Sequence, residues 1–176
     1  MDTLDSSLYL SNDDIYLLGN GNWFRSHEKL GAHPAKAADG TSGYHFAVWA
    51  PHVQSVHVIG DFNDWDEVAS PLTKSKTGDV WEGFIPGVVA GQLYKFLLVS
   101  HDGEKLYKAD PYAFFAELPP GTASRTADIS GYAWKDEKWM AERAERPMLK
   151  SPLNIFEVHL GSWKRHSDGL AGNGDP

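Results

Sequence analysis

The chain has 176 residues, 16 basic against 24 acidic for a net charge of −8, no cysteine, and 12% aromatic residues including seven Trp. That length suits one domain with appendages, and the acidic balance excludes a phosphate-backbone partner, so no nucleic acid is expected. Without cysteine there is no disulfide framework and no thiolate metal site. No apolar run is long enough to cross a membrane, and Asp2 and Asp5 stand where a signal peptide would be positive, so a soluble cytoplasmic protein is expected.

In chain order, residues 1–32 read as an amino-terminal helical arm. The segment SNDDIYLLG at 11–19 predicts a short helix, with Ser11 as cap, Asp14 completing a capping box and Gly19 as a left-handed stop. GNGNW then lacks the spacing of a dinucleotide loop. HPAKAADGTS at 33–42 has the composition of a boundary loop.

From Gly43 short strands follow at regular spacing, which predicts an all-β, immunoglobulin-like antiparallel β-sandwich over 33–130. GYHFAVWA at 43–50 sets Tyr44, Phe46 and Val48 against His45, Ala47 and Trp49, and SVHVIG at 55–60 puts Val56 and Val58 on one face. Further strands are expected at 80–86, 93–99, 104–108 (after a tight turn at Asp102-Gly103) and 123–129. A linker helix is expected within 131–152, capped by Asp136 and ended by Pro147, with Trp139, Met140 and Ala144 on one side. NIFEVHLGSW at 154–163 reads as a buried strand with no partner after it, which points to a fragment of a longer protein.

Most catalytic chemistry is absent. The eight histidines have no helical metal-ligand spacing, and His45, His52 and His57 read as satisfied structural residues. The cluster Asp61, Asn63, Asp64, Asp66 starts like a calcium loop, but Asp66 replaces the turn glycine and Leu72 the bidentate Glu. There is no GxSxG elbow, and carboxylate pairing cannot be asserted in so acidic a chain. No metal, no cofactor and no catalytic residue is therefore expected in these residues.

What remains is GDFNDW at 60–65, where a Trp arrives in a polar loop. Trp65 either faces solvent, where a flat indole can cover the C–H face of a sugar ring, or folds back over the core; the polar loop favours the first. Lys95, between Tyr94 and Phe96, would point out of the sheet and offer hydrogen bonds to sugar hydroxyls.

With HEKLGAHP (27–34), FAVWAP (46–51), VIGDFNDWD (58–66), VWEGFIPG (80–87), GQLYKF (91–96), KADPYAF (108–114), TAS (122–124) and IFEVHLGSWKRH (155–166), the chain resembles the amino-terminal region of bacterial glycogen branching enzymes. Its sandwich is similar to the family-48 carbohydrate-binding module. The resemblance implies a (β/α)₈ catalytic barrel beginning with residues 153–176, truncated here, and catalytic carboxylates beyond Pro176. The implied reaction is a retaining transfer of α-1,4-glucan segments to 6-hydroxyls, forming α-1,6 branches. The implied partners are α-1,4-glucan, glycogen or maltooligosaccharide, and the chain's own barrel. By the same resemblance Trp65 is the stacking platform, Lys95 and Thr122 hydroxyl-binding residues. Glu104, Lys105 and Leu106 stand where related modules carry a second stacking Trp, so a weak Kd, roughly high micromolar to millimolar, is expected. The alternative is a structural module that docks and orients the barrel.

Overall fold

The computed structural model describes residues 9–76, 79–147, 150–159 and 163. It divides into two compact units, one reaching to Tyr132 and one starting at Ala133.

In the first unit the predicted alternation produces two antiparallel sheets. The strands are β1 Gly31–Lys36, β2 Ser42–Trp49, β3 Ser55–Gly60, β4 Thr73–Lys74, β5 Val80–Pro86, β6 Leu93–Val99, β7 Lys105–Lys108, β8 Phe115–Ala116 and β9 Ser124–Arg125. One sheet runs β1-β2-β5-β4; the other runs β3-β6-β9-β8, with β7 also on β6. The inner faces meet as an immunoglobulin-like sandwich. Tyr44, Phe46 and Val48 of β2 pack with Val56 and Val58 of β3, Trp81 of β5, and Tyr94 and Phe96 of β6. The Tyr94 ring meets Phe46 edge-on at 5.2 Å and Phe96 at 6.0 Å. Dense aromatic packing of this kind holds the sheets in one register.

The outer face of the first sheet is covered as well, which is why β2 is buried on both sides. Helix α1, Asn12–Gly19, closes the predicted capping box: Ser11 Oγ accepts the Asp14 N–H and Asp14 Oδ2 accepts the Ser11 N–H at 2.8 Å. Leu10, Leu18 and Trp23 lie on Leu30, Ala47 and Val80. Polar ties fasten this arm: Lys29 Nζ reaches Asp14 at 2.5 Å and the Tyr9 carbonyl at 3.1 Å, and the Leu10 N–H donates to Glu82 Oε2 at 3.1 Å.

Between β3 and β4 the chain changes sheets. The Val58 N–H donates to the Ser70 carbonyl and the Leu72 N–H to the Val56 carbonyl, both at 2.9 Å, and the next two residues pair with β5 as Thr73↔Glu82 and Lys74↔Trp81. Opposite, a buried node ties the sandwich to the segment after β7. Tyr94 Oη donates to Asp110 Oδ2 at 2.6 Å, the Tyr112 N–H to Asp110 Oδ1 and the Asp110 N–H to Ser124 Oγ, both at 2.8 Å.

Several expectations are corrected. HPAK is not loop but most of β1, paired with β2 in the register His33↔His45; Pro34 is tolerated because β1 is an edge strand. The helix stop is not at Gly19, which is still helical; Asn20 caps the helix, its N–H bonding the Tyr16 carbonyl, and the left-handed residue is Gly21. The strand expected over 123–129 shortens to Ser124–Arg125.

In the second unit, α2 spans Glu137–Glu145, but the Asp136 side chain makes no capping bond. Its apolar residues stay open, Trp139 with the Arg143 guanidinium 5.4 Å above its ring. Residues 154–159 form no strand, since no strand among the described residues pairs with them; 160–162 of that predicted element lie outside the described residues.

Candidate functional site

Each residue of GDFNDW has a distinct task. A Cβ on Gly60 would sit 2.3 Å from the Leu93 carbonyl oxygen, so only glycine allows this approach to β6. Phe62 turns inward against Phe46 at 5.9 Å. Asn63 staples the loop: its Oδ1 accepts the Gly60 N–H at 2.9 Å and its Nδ2 donates to the Val58 carbonyl at 2.9 Å and Ser70 Oγ at 3.0 Å. Asp64 and Trp65 are both left-handed, with φ of 53° and 60°. This brings the Trp65 N–H to the Gly60 carbonyl at 2.9 Å and leaves the indole 37% exposed.

Asp61 then fixes the ring. Its Oδ1 accepts from Trp65 Nε1 at 3.1 Å and its Oδ2 from the Leu93 N–H at 2.8 Å, tying the indole to the start of β6. Two residues along β6, Lys95 sits on the outer face while Tyr94 and Phe96 are buried. Lys95 Nζ donates to Thr122 Oγ1 at 2.8 Å. The loop carrying Thr122 is held by Glu117, whose backbone N–H bonds the Ala123 carbonyl at 2.9 Å and whose Oε2 accepts the Ala123 N–H at 3.0 Å. The structure thus joins Lys95 and Thr122 directly and places Trp65 at the end of the same strand.

A further aromatic belongs to this face. Tyr107 of β7 lies opposite Leu97, in the same outward set as Lys95, and is 47% exposed. Glu67, just after Trp65, accepts hydrogen bonds from both Lys105 Nζ and Tyr107 Oη, which hold its carboxyl below the usual range. In the sequence, Glu104, Lys105 and Leu106 stand where a second stacking Trp is expected, one step short of Tyr107. Alternation through KLYK carried one step further would have put Lys105 and Tyr107 on one face. The arrangement is a sheet face with exposed rings, an ammonium and hydroxyls, suited to a flat neutral polyol. Among the described residues no group of His, Asp or Glu is placed to hold a metal, and no helix is long and apolar enough to cross a membrane.

Residues 29–113 match the family described as Carbohydrate-binding module 48 (Isoamylase N-terminal domain). Over that stretch the sandwich is similar to this family. Trp65, Lys95 and Tyr107 of the module lie within the matched stretch, and Thr122 beyond it. The likeness extends further along the chain. It is 52% identical over 166 residues to the 1,4-alpha-glucan branching enzyme GlgB of Butyrivibrio fibrisolvens, covering 94% of this chain and 26% of that protein. It is 43% identical over 156 residues to the 1,4-alpha-glucan branching enzyme GlgB of Bacillus subtilis (strain 168), covering 89% and 25%. The chain thus spans about a quarter of the length of these curated relatives. Among solved structures, ligand-free PulA from Klebsiella pneumoniae aligns at a TM-score of 0.46 with 26% identity, over 64% of this chain and 11% of that one.

Proposed function

We propose that the outer face of the second sheet binds α-1,4-glucan, and that the chain is the amino-terminal, glucan-holding part of a branching enzyme that transfers α-1,4-glucan segments to 6-hydroxyls in glycogen biosynthesis in the cytoplasm. The observation that carries this is the Trp65 indole, fixed outward by Asp61 beside the Lys95–Thr122 pair. A pyranose ring would stack on the indole while its edge hydroxyls exchange hydrogen bonds with Lys95 Nζ and Thr122 Oγ1. A module of this kind raises the local concentration of long chains near the catalytic part. No residue of this chain is assigned a catalytic role.

Titration with maltoheptaose, followed by tryptophan fluorescence and by calorimetry, tests the reading. Trp65→Ala is expected to weaken binding about 10- to 100-fold, the worth of one ring on an aromatic platform. Tyr107→Ala is expected to weaken it about fivefold, as a second, smaller platform. An unchanged Kd in Trp65→Ala counts against the site.

A docking role is the second reading, favoured by Leu153, Ile155 and Phe156, exposed at 73%, 85% and 79% in a run that wants a partner. On that reading Trp65→Ala in the full-length enzyme leaves activity on polysaccharide unchanged.

A further inference from the structure

The other sheet carries a cleft that the Trp65 face does not use. It opens between the amino-terminal arm and the β4–β5 edge, has a volume of about 470 Å³, and is lined by Tyr9, Pro71, Thr73, Lys74, Glu82 and Phe84 among others. That volume is within the range of small-molecule sites, roughly 300–1,000 Å³.

Its chemistry is specific. Glu82 is 9% exposed, and Thr73 is its register partner across β4 and β5. Behind Glu82 stands His45, 0% exposed, with Nε2 3.7 Å from Glu82 Oε2, beyond hydrogen-bond reach, and with neither ring nitrogen meeting a hydrogen-bond partner among the described residues. This corrects the expectation of a satisfied structural histidine. Glu82 Oε2 accepts one hydrogen bond, from the Leu10 N–H, and a carboxylate has lone pairs for further donors. Burial holds His45 neutral, pushed down to about 4, while Lys29 is paired with Asp14. Folded proteins rarely keep such groups out of water without a use for them.

The lining decides the class of ligand. The wall carries charges of both signs, Glu82 against Lys74 and Lys76, so it selects neither an anion nor a cation by net charge. Tyr9, Pro71 and Phe84 offer apolar surface to C–H groups, and the Thr73 hydroxyl and the Glu82 carboxylate offer hydrogen-bonding groups to O–H donors. We infer that the cleft between the arm and the β4–β5 edge is a second saccharide site, taking one neutral hydroxylated ring with Glu82 and Thr73 reading its hydroxyls. It does not rest on the Trp65 face, which lies on the opposite sheet. A glucan held on both sheets at once would be gripped more firmly than on either alone.

The test uses ¹⁵N–¹H correlation spectra of the 176-residue chain carrying Trp65→Ala and titrated with maltotriose. Saturable shifts at the Thr73, Glu82 and Phe84 amides are expected. They should weaken about fivefold in Thr73→Val, which keeps shape and removes one hydrogen bond. Glu82→Gln should weaken them as well; if it fails to fold, Thr73→Val, an exposed position, still decides. No shift around the cleft at the highest soluble maltotriose concentration overturns the site, as does undiminished affinity in Thr73→Val. In the parent chain, shifts confined to 60–65 and 93–97 would leave the proposed function standing without this site, and shifts confined to the cleft would do the reverse.

Discussion

Asp110→Ala is expected to lower the unfolding free energy of the sandwich by about 3 kcal/mol, read as a shift of the urea midpoint by near-ultraviolet circular dichroism. The carboxylate accepts from the Tyr94 hydroxyl and the Tyr112 N–H, and Tyr94 is 0% exposed. Truncation strands both donors, each orphaned group costing about 1–3 kcal/mol. Relief of a desolvated carboxyl acts the other way: burial pushes Asp110 above its ordinary range, so its ionised form is already held at a cost. The stranded donors outweigh this relief, because the hydrogen bonds favouring the charged form are lost with it. Adding Tyr94→Phe to Asp110→Ala should then recover stability rather than lose more, since it deletes the orphaned hydroxyl. A loss below about 1 kcal/mol, within the ordinary range of a single hydrogen bond, would show that the node is not what joins this segment to the sandwich.

Acidification supplies the second large effect, through His45. An unfolded histidine takes up its proton near 6.5, whereas buried His45 does so only at about 4, held down first by desolvation and then by the His33 and Lys29 charges. Between those values the unfolded chain binds more protons, so stability falls as pH falls, by about 3 kcal/mol in all. Glu82 faces it from β5, Tyr9 from the arm at 4.9 Å and His33 from β1. Burial raises the Glu82 and Asp110 carboxyls. These groups favour the folded state below their raised values and oppose the His45 slope. The measurement is therefore a difference: unfolding free energies of parent and His45→Gln followed from neutral pH to pH about 4. The parent should lose about 3 kcal/mol relative to the variant. Parallel curves would place His45 in contact with water.

The strands with large alternating residues were legible from sequence, because Tyr44, Phe46, Val56, Val58, Tyr94 and Phe96 mark an inner face by spacing alone. β1 was not, since Pro34 and its small neighbours read as loop and only pairing with β2 makes them strand. Nor was the burial of His45 and Ala47, which sit on the nominally outer side of β2; their cover comes from a distant arm. The site divides in the same way. Trp65 was visible because its polar loop is local, and so was the outward direction of Lys95. The Lys95–Thr122 bond spans 27 positions and depends on where the loop after β8 returns. The Glu67–Tyr107 link spans 40 positions and escapes local reading for the same reason.

The two successive left-handed residues at the tip of GDFNDW have an evolutionary consequence. Asp64 and Trp65 occupy a backbone region that glycine enters freely and a bulky side chain enters against resistance. A library of this domain screened for heat resistance alone should therefore drift to Gly or Asn at both positions, shedding the indole without harming the fold. The same library screened for retention on immobilised polysaccharide should hold the aromatic ring and leave position 64 free to change. Divergence between the two screens at one tryptophan would separate what the sandwich needs in order to stand from what it needs in order to hold a ligand.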